Sequence, residues 1–379
     1  MRSEPNDVVT PLGERGRSVF LVLEGLAKIF GSNKAVDDVS LSIPEGEFFT
    51  IVGPSGSGKS TLIRILAGLE TPTAGRVLLR GADITVMPAN RRPTCMVFQS
   101  LALFNHMSVG DNIGFALKML GIDAAERHRR VETLLDFVRL PQDFLGKPVT
   151  QCSGGEKQRV ALARALASDP EILFFDEPLS AIDYRLRKIL EVEMKDLHRR
   201  TGKTFIYITH SLEEAMVMSD RICLMNDARI EQIGTPQELY FQPKSVFAAD
   251  FLGESNLLPA TVRESTRDGT VVEVASGATV RGQANPTLHL GERVRFMVRP
   301  ESVRISDGGD AENSVEGVLK EIIMSGQITK RFLELPDGSE MVSTRLTEGG
   351  GDSAVTPGAT VRFGWSAEHT VVLPDSEEA

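Results

Sequence analysis

One glycine-rich stretch constrains the fold of this chain more than any other feature. Residues 53–60 read GPSGSGKS, which fits the pattern GxxxxGK[ST] of a phosphate-binding loop. The residues before it, EFFTIV, are typical of a buried strand, and KSTLIRILAGL after it has apolar residues at helical spacing. In this setting glycines let backbone N–H groups surround a phosphate, the lysine reaches the β- and γ-phosphates, and the hydroxyl after it binds Mg²⁺. The predicted nucleotide-binding residues are Gly53, Pro54, Ser55, Gly56, Ser57, Gly58, Lys59, Ser60 and Thr61.

Two carboxylates at the end of another apolar run supply a second part of such a site. EILFFDEP (171–178) places Asp176 and Glu177 directly after apolar residues. At a strand end, Asp176 can hold Mg²⁺ through water, and Glu177 can polarise a water that attacks the γ-phosphate. The alternative is a pair of solvated carboxylates at a loop entrance. The phosphate-binding loop in the same chain favours the catalytic interpretation.

Four single residues are further candidates, and each also has a plain structural interpretation. Gln99 ends TCMVFQ, where its amide oxygen can reach Mg²⁺ together with Ser60 and Asp176. His210 ends TFIYITH, where a neutral imidazole can bond a γ-phosphate oxygen, although a histidine at a strand end is often structural. Phe30 can stack on adenine or pack in a core. Asp183, in PLSAIDYRLR, by itself predicts only a helix N-cap.

The stretch QCSGGEKQR (151–159) predicts a second anion-binding site. Ser153, Gly154 and Gly155 stand at the start of a helical segment, where backbone N–H groups and the helix dipole favour an anion. The thiol of Cys152 could have a lowered pKa there and be reactive. The favoured interpretation of Cys152 is a small apolar residue in place of leucine.

Alternation of strands and helices predicts an α/β fold for residues 19–252. Apolar strands such as VFLVLEGL, EFFTIV and EILFFD indicate a mainly parallel sheet covered by helices. Residues 106–168, between two of these strands, are predicted to form a helical subdomain, because a structureless loop of that length is rare. Residues 1–18 are polar and predict a disordered tail.

Short alternating stretches separated by Gly, Pro and Asp predict a second, all-β domain over residues 253–379, a small barrel of the OB type. The formal net charge of −10 argues against nucleic acid as the main partner. The C-terminal domain adds to that argument, since its few aromatic residues lie among many acidic ones. The three cysteines are far apart and indicate neither disulfides nor a metal site. We also expect neither a membrane-spanning segment nor a secretion signal in this sequence.

Taken together, the motifs have the order and spacing of an ABC-type ATPase, and residues 19–252 resemble that superfamily. They correspond to the Walker A loop, Q-loop, signature, Walker B, D-loop and H-loop, at residues 53–61, Gln99, 153–156, Asp176 with Glu177, Asp183, and His210. The resemblance implies ATP and Mg²⁺ as cofactors, with Phe30 on the adenine. It also implies that the signature and D-loop act in trans, on ATP held by the other subunit of a homodimer, through Ser153, Gly154, Gly155, Glu156 and Asp183.

The resemblance extends to the ATP-binding subunits of bacterial importers with a C-terminal TOBE domain, carried by MSDRICLMNDARIEQIGTP, FLGESNLLPATV and MVRPESVRI. Such subunits lie on the cytoplasmic face of the inner membrane and work with two integral-membrane permease subunits and, indirectly, with a periplasmic solute-binding protein. FLGESNLL and MNDARIEQIGTP look most like the spermidine/putrescine subfamily. Importers of iron(III), thiamine, opines and sugars remain alternatives, and a soluble ABC ATPase outside transport is a third hypothesis.

The chain departs from the usual signature, because it reads CSGGE where LSGGQ is common. The serine and the two glycines that would face phosphate are retained, so we expect hydrolysis to be retained. Glu156 adds a carboxylate near a phosphate site and could alter turnover. The D-loop reads SAID in place of SALD, an apolar exchange of small consequence.

Overall fold

The computed structural model describes residues 19–180, 182–275, 277–305, 311–347 and 355–375. The predicted N-terminal tail, residues 1–18, lies outside the described residues. The chain divides into two compact units between Pro236 and Gln237. This division falls sixteen residues before the boundary that the sequence predicts at 252/253.

A six-stranded sheet forms the centre of the first unit. Five of its strands pair in parallel, which confirms the predicted α/β architecture. The sixth strand, Arg229–Gly234, lies at one edge and pairs antiparallel to its neighbour. Every residue of Phe48–Val52 and Thr204–Ile208 is buried, as expected for strands covered on both faces. In spatial order the strands are Arg229–Gly234, Arg221–Asn226, Phe48–Val52, Thr204–Ile208, Ile172–Asp176 and Thr94–Val97.

A separate antiparallel sheet contains the strands that the sequence predicts at VFLVLEGL and AVDDVSLSI. These strands do not join the parallel sheet; they pair with each other, and Val19–Phe30 also pairs with Ala74–Leu79. Their burial alternates along much of their length, which is typical of strands with one solvated face. The four strands of this sheet are Asn33–Pro44, Val19–Phe30, Ala74–Leu79 and Ala82–Asp83.

The helices of the first unit include the predicted helical insertion. Three helices lie between residues 106 and 168 and share a core of their own, to which Ile113, Leu135 and Val160 contribute. Among the described residues, no helix is both long and apolar enough to cross a membrane. The helices are Lys59–Leu66, Val109–Met119, Ala124–Phe137, Gly154–Ala167, Tyr184–Thr201 and Leu212–Met218.

The second unit consists of two five-stranded antiparallel sheets around one hydrophobic core. Phe296 and Trp365 stack in this core with ring centroids 6.1 Å apart. One sheet contains Thr279–Gly282, Thr270–Val274, Asn256–Ser265, Arg293–Val298 and Thr370–Pro374. The other contains Arg304–Ile305, Thr360–Trp365, Asn313–Ser325, Ile328–Glu334 and Glu340–Leu346.

Arg299 explains why residues 237–252 belong to the second unit. These residues form the short helices Pro236–Phe241 and Val246–Phe251. The guanidinium of Arg299, which is 2% exposed, donates hydrogen bonds to the carbonyl oxygens of Tyr240, Ala249, Gly253 and Glu254. A single buried side chain therefore binds the ends of both helices to the β-strand region.

Candidate nucleotide site

The parallel sheet brings most of the predicted site residues to one edge. In a parallel sheet all strands end on the same side, and ligands bind in the crevice outside those ends. The phosphate-binding loop follows Phe48–Val52, and three neighbouring strands of the same sheet end at the remaining polar candidates. These candidates are His210, then Asp176 with Glu177, then Gln99.

The phosphate-binding loop has space for glycine alone at two of its positions. Gly53 and Gly58 have φ values of 152° and 98°. A Cβ on Gly53 would lie 2.2 Å from the carbonyl oxygen of Met225, and a Cβ on Gly58 would lie 2.2 Å from that of Ala35. Neither contact is sterically possible without moving backbone. The loop therefore packs closely against two strands, Arg221–Asn226 of the parallel sheet and Asn33–Pro44 of the antiparallel sheet.

Lys59 is a buried cation whose hydrogen-bond partners are neutral groups of the loop. Lys59 is the first residue of the helix Lys59–Leu66 and is only 6% exposed. Its Nζ donates hydrogen bonds to the carbonyl oxygens of Gly53 and Pro54, both at 2.8 Å. Burial lowers the pKa of Lys59, and the negative charges of Glu177 and Asp176 partly oppose that effect. A desolvated ammonium beside a helix N-terminus favours an anionic ligand.

Asp176 and Glu177 lie close enough to affect each other. Burial, and then the neighbouring Glu177, raise the pKa of Asp176. Glu177 has φ of 46°, a left-handed conformation that is unfavourable for a residue with a side chain. Its N–H donates to the carbonyl of Ile208 at 3.0 Å, which fixes this conformation against the neighbouring strand. The strained backbone of Glu177 is therefore held in place by the neighbouring strand.

His210 pairs directly with Glu177. The imidazole Nδ1 lies 3.2 Å from Oε2 of Glu177, within hydrogen-bonding distance. The two residues follow adjacent parallel strands, so the sheet itself sets this separation. The predicted general base and the predicted γ-phosphate contact thus form one unit in the structure.

The predicted magnesium ligands have suitable chemistry. Ser60, Gln99 and Asp176 offer one hydroxyl, one amide and one carboxylate oxygen, all hard donors of the kind that Mg²⁺ prefers. Within the described ranges, no group of three or more His, Cys, Asp and Glu side chains is positioned to hold a metal by itself. A cation here would need phosphate and water oxygens as well, which is the usual coordination of Mg²⁺ in nucleotide sites.

Ser180 is a site residue that the sequence reasoning missed. Nε2 of Gln99 donates to Oγ of Ser180 at 3.0 Å, and that hydroxyl donates to the carbonyl oxygen of Glu177 at 2.9 Å. This contact uses the amide nitrogen of Gln99 and not its amide oxygen. The serine of PLSAID was visible in the sequence, but nothing in its spacing indicated this bridge.

A buried network behind His210 was also missed. The carboxylate of Glu214 accepts hydrogen bonds from Tyr207 Oη at 2.8 Å and from Thr209 Oγ1 at 2.7 Å. Arg187 Nε lies 3.8 Å from the same carboxylate. A glutamate in a helical segment ordinarily predicts a solvated face, so no sequence pattern indicated this network. These bonds to Glu214 hold the side chains of Tyr207 and Thr209, in the segment that leads to His210.

The structure bears on the alternative roles that the sequence leaves open for Phe30 and Asp183. The Phe30 ring is 48% exposed, with Lys28 Nζ 4.8 Å from its centroid, so core packing does not account for it. Asp183 Oδ1 accepts a hydrogen bond from the N–H of Leu186 at 3.0 Å. The plain N-cap role predicted for Asp183 is therefore present in the single chain.

The signature residues form a capping box at the start of Gly154–Ala167. Ser153 Oγ accepts from the N–H of Glu156 at 3.3 Å, and Glu156 Oε2 accepts from the N–H of Ser153 at 2.8 Å. No hydrogen bond or ion pair among the described residues joins 153–156 to the phosphate-binding loop. Cys152 is buried in the helical core, and burial raises the pKa of its thiol, which favours its apolar interpretation.

Comparison with known proteins identifies the family. The ABC transporter family matches residues 36–180, and the TOBE domain family matches residues 296–373. A protein of Rubrobacter xylanophilus named spermidine/putrescine import ATP-binding protein PotA is 42% identical over 362 residues, covering 95% of both chains. The chain belongs to the ABC transporter family of ATP-binding import proteins.

Other members of this family agree with the assignment. Proteins of the same name are 46% identical in Mesorhizobium japonicum, over 78% of this chain and 82% of that protein, and 44% identical in Thermotoga maritima, over 83% and 87%. The dimeric ATP-binding cassette MJ0796, solved in a post-hydrolysis state with ADP and phosphate, is 30% identical. It has a TM-score of 0.50 and covers 57% of this chain and 98% of its own. The predicted ABC-type fold followed by a TOBE domain is confirmed.

Proposed function

We propose that this chain is the ATP-hydrolysing motor of an importer for polyamines of the spermidine/putrescine class. The observation that carries the proposal is the similarity, at 42% identity over 95% of both chains, to a protein named for spermidine/putrescine import. The residues at the sheet edge supply what such a motor requires, a phosphate cradle beside a carboxylate and an imidazole. Domain limits at 19–252 and 253–379 remain our proposal for the division between motor and regulatory parts.

In this proposal the chain holds ATP through its own phosphate-binding loop. The loop amides and Lys59 bind the β- and γ-phosphate oxygens, and Phe30 stacks on adenine. Ser60, Gln99 and Asp176 would hold Mg²⁺, which neutralises charge on the β- and γ-phosphates. The buried ammonium of Lys59, now bonded to two carbonyls, gains an anionic partner when phosphate arrives.

Glu177 then orients and polarises the attacking water. Its carboxylate accepts a hydrogen bond from that water, in line with the bond between the γ-phosphorus and the leaving oxygen. His210 contacts the carboxylate through Nδ1, at 3.2 Å, and would contact a γ-phosphate oxygen through its other nitrogen. The backbone N–H of Glu177 is already bonded to Ile208, so the base is positioned before ATP binds.

The second half of each site comes from another copy of the chain. Ser153, Gly154 and Gly155 present a hydroxyl and free helix N–H groups, and Glu156 and Asp183 flank them. A two-fold homodimer is the simplest arrangement that brings these residues to the phosphate-binding loop of another copy. The dimeric state of the related cassette supports this arrangement.

The motor works at the cytoplasmic face of the bacterial inner membrane. It binds two integral-membrane permease subunits there and acts indirectly with a periplasmic solute-binding protein. The helical subdomain after Gln99 would transmit closure of the dimer to the permease helices.

Uptake by the host cell tests this proposal. The gene is deleted, and uptake of radiolabelled spermidine, putrescine, iron(III), thiamine and a sugar is measured with plasmids that carry the wild type or Lys59→Ala. We expect polyamine uptake alone to fall in the deletion strain and to return with the wild type but not with Lys59→Ala. Loss of iron(III), thiamine or sugar uptake in place of polyamine uptake would reassign the cargo. Unchanged uptake of every solute would favour a soluble ATPase outside transport.

A further inference from the structure

The signature of this chain carries a full negative charge at a segment that has to meet phosphate. Glu156 Oε2 accepts a hydrogen bond from the N–H of Ser153 at 2.8 Å. That bond, together with the charge of Lys147, lowers the pKa of the Glu156 carboxyl. The carboxylate is therefore ionised at neutral pH, beside the hydroxyl and glycine amides of the signature. Left uncompensated, it would repel the γ-phosphate of a bound nucleotide.

Lys147 is held against this carboxylate by the surrounding chain. Its Nζ lies 3.4 Å from Glu156 Oε2, and both side chains are about two-thirds or more shielded from solvent. The same ammonium lies 3.7 Å from the centroid of the Phe144 ring. On the main chain, the carbonyl of Lys147 accepts from the N–H of Val109 and its N–H donates to Phe144. The aromatic ring and these backbone bonds give the ammonium a fixed position.

We propose that Lys147 is a positioning residue of the signature, which neutralises Glu156 and keeps its carboxylate against the N–H of Ser153. The Ser153 hydroxyl and the Gly155 N–H then face the partner subunit's nucleotide without a bare anion beside them. This role rests on the proposed function, in which the signature completes the ATP site of a second copy. A glutamine in place of Glu156 would need no such neutralisation, so the role of Lys147 belongs to the CSGGE form of the signature.

A double-mutant cycle tests the role through KM for ATP. Lys147→Met, Glu156→Gln and the double variant are compared with wild type for steady-state ATP hydrolysis by the full chain. We expect Lys147→Met to raise KM about 3- to 30-fold in the wild-type background, the range of coupling between contacting charged groups, with a smaller change in kcat. In the Glu156→Gln background the same lysine change should alter KM by less than about 2-fold.

Two further variants separate charge compensation from simple packing. Lys147→Arg keeps the positive charge and is expected to keep KM near the wild-type value. Lys118→Met removes a charge of the same sign from an exposed position on Val109–Met119 and should leave KM unchanged. An equal effect of Lys147→Met in both backgrounds, or a Lys147→Arg variant that behaves like Lys147→Met, would overturn the proposal.

Ser153→Ala distinguishes failure of this inference from failure of the proposed function. Wild type that hydrolyses no ATP, or Ser153→Ala that hydrolyses it as wild type does, removes the signature from the site and overturns both. If Ser153→Ala is impaired while the cycle shows no coupling between residues 147 and 156, only the role of Lys147 is lost. Thermal melts of each variant verify folding, and Lys147→Arg keeps the test decisive if Lys147→Met does not fold.

Discussion

At the scale of single residues, chemistry and conformation converge on Glu177. Its position after Asp176 was evident from the sequence, because two carboxylates followed an apolar run. Its φ of 46° and its contact with His210 were not evident, because both depend on how two adjacent strands end. Sequence reasoning could name the site residues, whereas the supporting residues Ser180 and Glu214 carried no motif and became visible only through their contacts.

Glu177→Gln should separate binding from turnover. The amide cannot take a proton from water, so we expect ATP binding to be retained and turnover to fall about 10²- to 10⁴-fold, the usual worth of a positioned base. Fluorescent-nucleotide titration and phosphate release measure the two quantities. Lys59→Ala is the matched control and should weaken binding itself. Near-normal turnover of Glu177→Gln would remove this residue from the role.

Asp176→Asn should stabilise the free protein and impair the site. Because the folded-state pKa of Asp176 is raised, the carboxyl costs stability as pH rises above its ordinary value near 3.8. We expect the variant to melt about 1–3 °C higher at pH 7.5 without nucleotide, since about 1 kcal/mol moves Tm by 2–4 °C in units of this size. This gain should shrink at pH 4 and be accompanied by loss of Mg²⁺-dependent ATP hydrolysis. A lower Tm at pH 7.5 would contradict the assigned cause.

At the scale of elements, the parallel strands were predictable and the second sheet of the motor unit was not. Apolar runs such as ILFFD indicate strands buried on both faces, and these strands do form the central sheet. Strands Val19–Phe30 and Asn33–Pro44 were recognised as strands, but local pattern does not specify a pairing partner. The sequence also did not reveal that the segment after Gln99 is hydrogen-bonded to the helix Gly154–Ala167. That connection uses the backbone carbonyls of Leu101 and Ala102, which no side-chain pattern indicates.

Arg164 makes that connection, and its removal should loosen it. Its guanidinium donates to the carbonyls of Leu101 and Ala102, both at 2.7 Å, and these two residues have positive φ values of 59° and 46°. We expect Arg164→Ala to lower the free energy of unfolding by about 0.5–1.5 kcal/mol, the net contribution of a typical hydrogen bond, because the Ala102 carbonyl is exposed and the Leu101 carbonyl is only half-buried. Hydrogen exchange at residues 99–104 should accelerate, while Arg200→Ala, on another helix, should leave those amides unchanged. Unchanged exchange in Arg164→Ala would show that other contacts hold the segment.

At the scale of the whole molecule, the chain forms two compact units. The boundary between them is set by side-chain packing and not by the change in sequence pattern. The change to short alternating strands near residue 253 was visible in the sequence. The two helices before it belong with the β-strand unit because Arg299 binds the carbonyls of Ala249 and Tyr240, which lie 50 and 59 positions earlier in the chain. Patterns in a single sequence do not indicate contacts between residues so far apart in the chain.

Arg299→Ala should therefore destabilise one unit selectively. Truncation leaves several buried carbonyls without a donor, and we expect a loss of about 2–4 kcal/mol in the second unit. Differential scanning calorimetry with and without ATP identifies the transitions, since only the nucleotide-binding unit should shift upward with ligand. The Arg299→Ala loss should appear in the transition that ATP does not shift. Arg295→Ala, on the strand Arg293–Val298 directly before Arg299, is the control; an equal loss there would point to general strand damage.

The proposed pairing of residues 153–156 with the phosphate-binding loop of a second copy has a kinetic consequence. In that arrangement a solitary copy lacks half of its ATP site, so dilution alone should silence it. In the absence of permease subunits, specific ATPase activity should first climb linearly with protein concentration and then level off once most copies are paired. The total rate should therefore have a quadratic onset, which a self-sufficient enzyme would not display.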